Sequence, residues 1–270
     1  MAHITQTTRF NQSAASTSVL PGVQAPPVIE FKNVVKSFGS KRILDGISFK
    51  VLEGETLCVI GGSGSGKSVT LKLLMGLIPV DEGEIYFQGR LLSQMDEDQI
   101  NQIRVQMGMV FQNAALFDSL NVFENVAYPL REQFDYTEEQ LEDIVTRKLA
   151  QVGLHDVLHL MPSDLSGGML KRVGIARAIA TDARVILYDE PTAGLDPTNT
   201  NRVDDLILKF QKEDAVTSIV VTHHMPSVFH IANRVALLLN RKMIFEGTIQ
   251  DFKASQDETV CQFVEGHIGD

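Results

Sequence analysis

The chain has 270 residues and a formal net charge of −10, from 24 Lys plus Arg against 34 Asp plus Glu. Hydrophobic residues make up 44 % and charged residues 21 %, so a core can be buried without disulfides or metal. The acidic balance argues against a nucleic-acid binder and against a polybasic membrane-surface protein. Two cysteines, Cys58 and Cys261, supply neither a disulfide framework nor a Cys-rich metal site, and they fit a reducing compartment.

Residues 1–27 hold no acidic residue and are rich in Ser, Thr and Gln. They lack the apolar run of a secretory signal and read as a disordered tail closed by Pro21, Gly22, Pro26 and Pro27. No run in the chain approaches the ~20 apolar residues of a membrane span. Val28 to Val34 and Ile47 to Val51 alternate apolar with polar residues and predict strands. Thr56 to Ile60 predicts a short buried strand, followed by Leu71, Leu74 and Leu77 at helical spacing. Ile85 to Gln88 predicts a strand after a turn at Asp81-Glu82-Gly83. A helix is expected over Met95 to Gln106 and an extended run over Met107 to Phe111. From about 113 to 180 the pattern is mostly helical, with loop residues expected at Pro129, Pro162 and Gly167-Gly168. Val185 to Tyr188 and Ile219 to Val221 predict buried strands, and Val203, Leu206, Ile207 and Phe210 a helix between them. Val235 to Leu239 and Lys242 to Glu246 flank a hairpin turn at Asn240-Arg241. Strands alternating with helices imply a parallel α/β core, and no internal repeat is present.

Gly61-Gly62-Ser63-Gly64-Ser65-Gly66-Lys67-Ser68 leaves one predicted strand and opens one predicted helix. The pattern is that of a phosphate-binding loop. Its glycines let backbone N–H groups close around phosphate oxygens, Lys67 brings a charge to the β and γ phosphates, and the Ser68 hydroxyl suits Mg²⁺. Val185-Ile186-Leu187-Tyr188-Asp189-Glu190 is an apolar strand ending in two carboxylates. Beside a phosphate loop, Asp189 is placed to order Mg²⁺ and Glu190 to take a proton from an attacking water.

Leu165-Ser166-Gly167-Gly168-Met169 resembles the signature motif of ATP-binding cassette (ABC) ATPases, and its Ser166 lies 23 residues before Asp189. Phe38 resembles that family's adenine-stacking aromatic, Gln112 its Q-loop glutamine, Asp196 in Gly194-Leu195-Asp196 its D-loop, and His223 its switch histidine. The resemblance spans residues 28–250, with the helical part over about 113–180 and a C-terminal extension over 251–270. It implies an α/β P-loop NTPase of ABC type: a mixed-sheet core, an antiparallel β subdomain and an inserted α-helical subdomain. It further implies that Gly61, Gly62, Ser63, Gly64, Ser65, Gly66, Lys67, Ser68 and Val69 hold ATP with Phe38. Ser68, Gln112 and Asp189 would hold Mg²⁺, and Glu190, His223, Gln112 and Lys67 would carry hydrolysis. Two copies would dimerise head to tail, so that Ser166, Gly167, Gly168 and Asp196 serve the partner's nucleotide. Asp196 could equally cap the helix that follows it. Three positions depart from the family pattern: Met169 where Gln is usual, Val69 where a hydroxyl is usual, and His224 where Asp is usual.

The segment Ala115 to Val126, with Tyr128 to Glu132 after it, looks like the permease-facing groove of Mla-type lipid-transport cassettes. That likeness implies an ATPase coupling MgATP hydrolysis to phospholipid transport between inner and outer membranes. It would sit on the cytoplasmic face of the bacterial inner membrane with permease subunits, a small soluble regulatory subunit and a periplasmic lipid-binding subunit. The core motifs also suit an importer of a small solute, or a soluble scaffold ATPase. The tail, with Phe252, Val260, Phe263 and Val264, packs on its own chain or reaches across the dimer.

Overall fold

In the computed structural model, residues 27–267 are described. The tail expected over residues 1–27 therefore lies almost wholly outside the described residues.

The first three strands are β1 (Ile29–Phe38), β2 (Lys41–Val51) and β3 (Thr56–Ile60), and α1 (Lys67–Leu74) follows. Next come β4 (Glu82–Phe87), β5 (Arg90–Leu91), α2 (Glu97–Val105) and β6 (Met107–Val110). Three helices form one block: α3 (Val122–Gln133), α4 (Glu138–Gln151) and α5 (Gly167–Ala178). The chain returns through β7 (Val185–Asp189), α6 (Pro197–Asp214), β8 (Thr217–Thr222) and α7 (Met225–Ile231). It ends in β9 (Arg234–Leu239), β10 (Lys242–Thr248), α8 (Ile249–Ala254) and α9 (Glu258–Val264).

Two sheets result. A 6-stranded sheet runs β10-β9-β3-β8-β7-β6. Its β9, β3, β8, β7 and β6 are parallel neighbours, and β10 is antiparallel to β9. A 4-stranded antiparallel sheet runs β2-β1-β4-β5. The fold has the α/β mixed sheet, antiparallel sheet and helical block that the resemblance implies. The central strands are buried along their whole length, as strands covered on both faces must be. Asn240 and Arg241 turn the β9–β10 hairpin with φ of 47° and 70°, the geometry of a two-residue hairpin loop.

The structure corrects several sequence expectations. Strands β1 and β2 run to Phe38 and from Lys41, well beyond the alternating segments. Register shifts between Phe31 and Ser37 break the period of two by which the sequence marks a strand. The turn expected at Asp81-Glu82-Gly83 is already strand from Glu82, and Gly83 passes so close that a Cβ would lie 2.3 Å from the Asn33 carbonyl oxygen. Pro129 is inside α3, not in a loop. A mid-helix proline costs ~3 kcal/mol. The helix survives because Val122, Val126 and Leu130 are buried against the block and the Asn125 side chain ties its first turn to Phe117, Leu120 and Asn121. Gly167 and Gly168, expected as loop residues, form the first turn of α5 under the Ser166 cap. A Cβ on Gly168 would sit 2.5 Å from the Asn199 side chain of α6, so the two helix starts approach through a glycine. Helix α8 spans residues 249–254 and packs on β9 and β10. Phe252, Val260 and Phe263 are buried within their own chain.

Candidate active site

Strand β3 delivers the chain into the phosphate loop, and α1 leaves it. Gly66 precedes α1 at φ 105°, and a Cβ on Gly61 would lie 2.2 Å from the Leu238 carbonyl oxygen. Only glycine fits either place. The first amides of α1 have no carbonyl partner within the helix, and those of Val69 and Thr70 donate to the Gly66 carbonyl at 3.0 and 3.2 Å. The Lys67 ammonium folds back on the carbonyls of Gly61 and Gly62 at 2.9 and 2.8 Å. Burial lowers its pKa, and the nearby charges of Glu190 and Asp189 work against that drop.

The acidic end of β7 closes the other side. The Ser68 hydroxyl donates to Asp189 Oδ1 at 2.7 Å. Glu190 Oε1 lies 4.0 Å from Lys67 Nζ and 2.8 Å from His223 Nδ1. Glu190 has φ 48°, in the left-handed region where a non-glycine residue is strained. Its N–H donates to the Val221 carbonyl at 2.8 Å, which fixes it to β8.

Phe38, the whole segment Gly61 to Val69, Gln112, Glu190 and His223 line one cleft of about 1630 Å³. Phe38, at the end of β1, is 50 % exposed, with the Lys36 ammonium 5.5 Å from its ring centroid. Asp189 meets this group through Ser68. Val69 offers no hydroxyl and packs against the core. Ser166, Gly167, Gly168 and Asp196 are not among the cleft's lining residues. Ser166 accepts from the Met169 N–H at 3.3 Å, and Asp196 accepts from the Asn199 N–H at 3.1 Å. His224, where the family has Asp, still caps α7 through a bond with Ser227.

The cleft fits a nucleotide and Mg²⁺. A loop with no room for a Cβ at Gly61 or Gly66, a buried Ser65 Oγ with no hydrogen-bond partner, and a hydroxyl touching a carboxylate are what phosphate oxygens and a hard cation require. Among the described residues no cluster of three His, Cys, Asp or Glu could hold a metal by itself.

The sequence profile of the family described as "ABC transporter" matches residues 44–193. The chain belongs to that family. It is an ATPase of the ABC type and works on ATP with Mg²⁺. It is 42 % identical over 258 residues to the Arabidopsis thaliana protein trigalactosyldiacylglycerol 3, chloroplastic, covering 89 % of this chain and 74 % of that one. It is 39 % identical over 239 residues to the intermembrane phospholipid transport system ATP-binding protein MlaF of Haemophilus influenzae, covering 88 % of this chain and 90 % of that one. A dimeric ATP-binding cassette in a post-hydrolysis state, bound to ADP and Pi, superposes with TM-score 0.76 at 31 % identity, over 82 % of this chain and 98 % of that one.

Sequence reasoning missed several neighbours of the cleft. Arg241 and the α9 residues Thr259, Phe263 and Val264 line it. From α5, Arg177 donates to the Ala114 and Ala115 carbonyls at 2.7 and 2.8 Å and fixes the turn after Gln112, where both alanines have positive φ. Lys171, also on α5, is buried beneath the cleft. Its signal was available: Gly168, Lys171, Ile175 and Ala178 form one helical stripe, so a charged residue stands where the pattern asks for an apolar one.

Proposed function

We propose that this ABC ATPase energises phospholipid transport between two membranes as a peripheral subunit on the cytoplasmic face of the bacterial inner membrane. The observation that carries this reading is its 39 % identity with MlaF of Haemophilus influenzae across nearly all of both chains. In this reading Phe38 stacks on adenine, and the amides of Gly61 to Ser68 with Lys67 take the phosphates. Ser68, Asp189 and Gln112 hold Mg²⁺, which when bound neutralises phosphate charge. The Glu190 carboxylate takes the proton of the attacking water, and His223, hydrogen-bonded to it, keeps it turned toward the γ-phosphate. Ser166, Gly167, Gly168 and Asp196 lie off the cleft, which favours a homodimer in which each serves the nucleotide of the other copy.

The permease would dock on the helical block. Phe117 and Tyr128 have ring centroids 4.9 Å apart and are 43 % and 42 % exposed. They line a groove of about 300 Å³ with Met109, Phe111, Ala115 and Pro129. A small soluble regulatory subunit and a periplasmic lipid-binding subunit complete the assembly. Among the described residues no helix is long and apolar enough to cross a membrane, so the lipid path belongs to the permease in this reading.

A tagged pull-down from native membranes in mild detergent, with mass spectrometry of partners and lipids, tests it. The expected result is a polytopic permease with a lipid-binding subunit and phospholipid. Recovery of a permease with a solute-binding protein would replace this reading with nutrient import, and soluble partners alone would remove transport.

A further inference from the structure

Lys171 carries a charge in a place that costs free energy to occupy. It is 6 % exposed, and burial lowers its pKa, with only the charge of Glu190 acting the other way. A methionine would fill the same space without that penalty. Its ammonium donates to two backbone carbonyls, that of Gln112 and, at 3.4 Å, that of Glu190. Both of these residues line the cleft. One cation on the signature helix therefore joins the loop after β6 to the end of β7. Glu190 needs the restraint, because its φ of 48° is a conformation the chain does not hold unaided. Its N–H is fixed by Val221 and its carbonyl accepts from Ala193 at 3.2 Å and from Lys171.

We infer that Lys171 is a positioning residue for hydrolysis, clamping the backbones of Gln112 and Glu190 so that both side chains face one water and one γ-phosphate. This rests on the roles given above to Gln112 and Glu190. Lys171 does not line the cleft, so it acts on turnover and not on nucleotide binding.

The test compares Lys171→Met, Lys171→Arg, Lys171→Gln and Glu190→Gln in the full chain within its membrane complex. MgATP hydrolysis, binding of a fluorescent ATP analogue and melting temperature are measured for each. Lys171→Met is expected to lower kcat at least about tenfold with KM and analogue binding within about twofold, and Lys171→Arg to restore most of kcat. Wild-type kcat in a folded Lys171→Met variant overturns the inference. So does a loss of kcat, KM and melting temperature together that arginine does not repair, because that marks a packing role only. If Lys171→Met does not fold, the other two decide: Arg near wild type with Gln reduced supports the clamp, and Gln equal to wild type overturns it. Full activity in Glu190→Gln would instead overturn the residue roles on which the inference stands.

Discussion

The nucleotide cleft and the groove on the helical block answer their chemistry in opposite ways. In the cleft, polar groups meet one another within the chain: Ser68 with Asp189, Glu190 with His223, and Lys67 with the carbonyls of Gly61 and Gly62. In the groove, Phe117 and Tyr128 pack on each other and leave apolar surface open. The cleft can thus be argued from contacts the chain makes with itself, and the groove only from a contact it offers to something else. In the proposed reading, the reaction belongs to the first region and the partner to the second.

The strongest way to break this contrast is at Glu190. Glu190→Gln keeps the shape of the cleft and removes the proposed base. ATP hydrolysis is expected to fall at least about 100-fold, near 2.7 kcal/mol of barrier, with MgATP still bound and the dimer held closed. Turnover assays with size-exclusion chromatography check both halves, and normal turnover would contradict the base assignment. The corresponding probe of the groove is Phe117→Ser, which removes one of its three exposed rings, Phe111, Phe117 and Tyr128. Permease recovery in the pull-down is expected to drop about tenfold while the chain still binds nucleotide. Undiminished recovery would place the docking surface elsewhere.

A third substitution asks whether the helical block is joined rigidly to the sheet. A Cβ on Gly108 of β6 would lie 2.2 Å from the Ala178 carbonyl at the end of α5. Gly108→Ala therefore overpacks a buried seam and is expected to cost ~1–3 kcal/mol in chemical denaturation. A variant of unchanged stability would show that α5 slides against the sheet without strain.

Much of the cleft was legible because its parts are local. Gly61 to Ser68 is a strand, a tight turn and a helix start in one stretch. Asp189 and Glu190 end a strand whose apolar run announces its burial. Phe38 could be named only through resemblance, since the bulges of β1 hide its strand from a periodicity reading. Lys171 is hidden from a local reading because the carbonyls it bonds lie 59 and 19 residues away in sequence. Pro129 reads as a loop residue for the reverse reason: local chemistry disfavours a helix there, and packing of α3 on α5 overrides it.

Asp196 belongs to neither region, and the smallest expected effect concerns it. Its carboxylate accepts from the Asn199 amide and side chain, and those bonds hold its pKa below the usual aspartate value. This is an N-cap of α6, which accounts for an aspartate here without any second copy. Asparagine caps as well as aspartate, whereas alanine does not. Asp196→Ala is therefore expected to lower the melting temperature by a few degrees, and Asp196→Asn to leave it unchanged. Hydrolysis then separates the two roles. If Asp196→Asn is fully stable and fully active, the residue is a cap and the dimer does not need its charge. If it is stable but turns over more slowly, the charge acts outside its own helix, and the head-to-tail arrangement gains a residue that contacts within the chain do not explain.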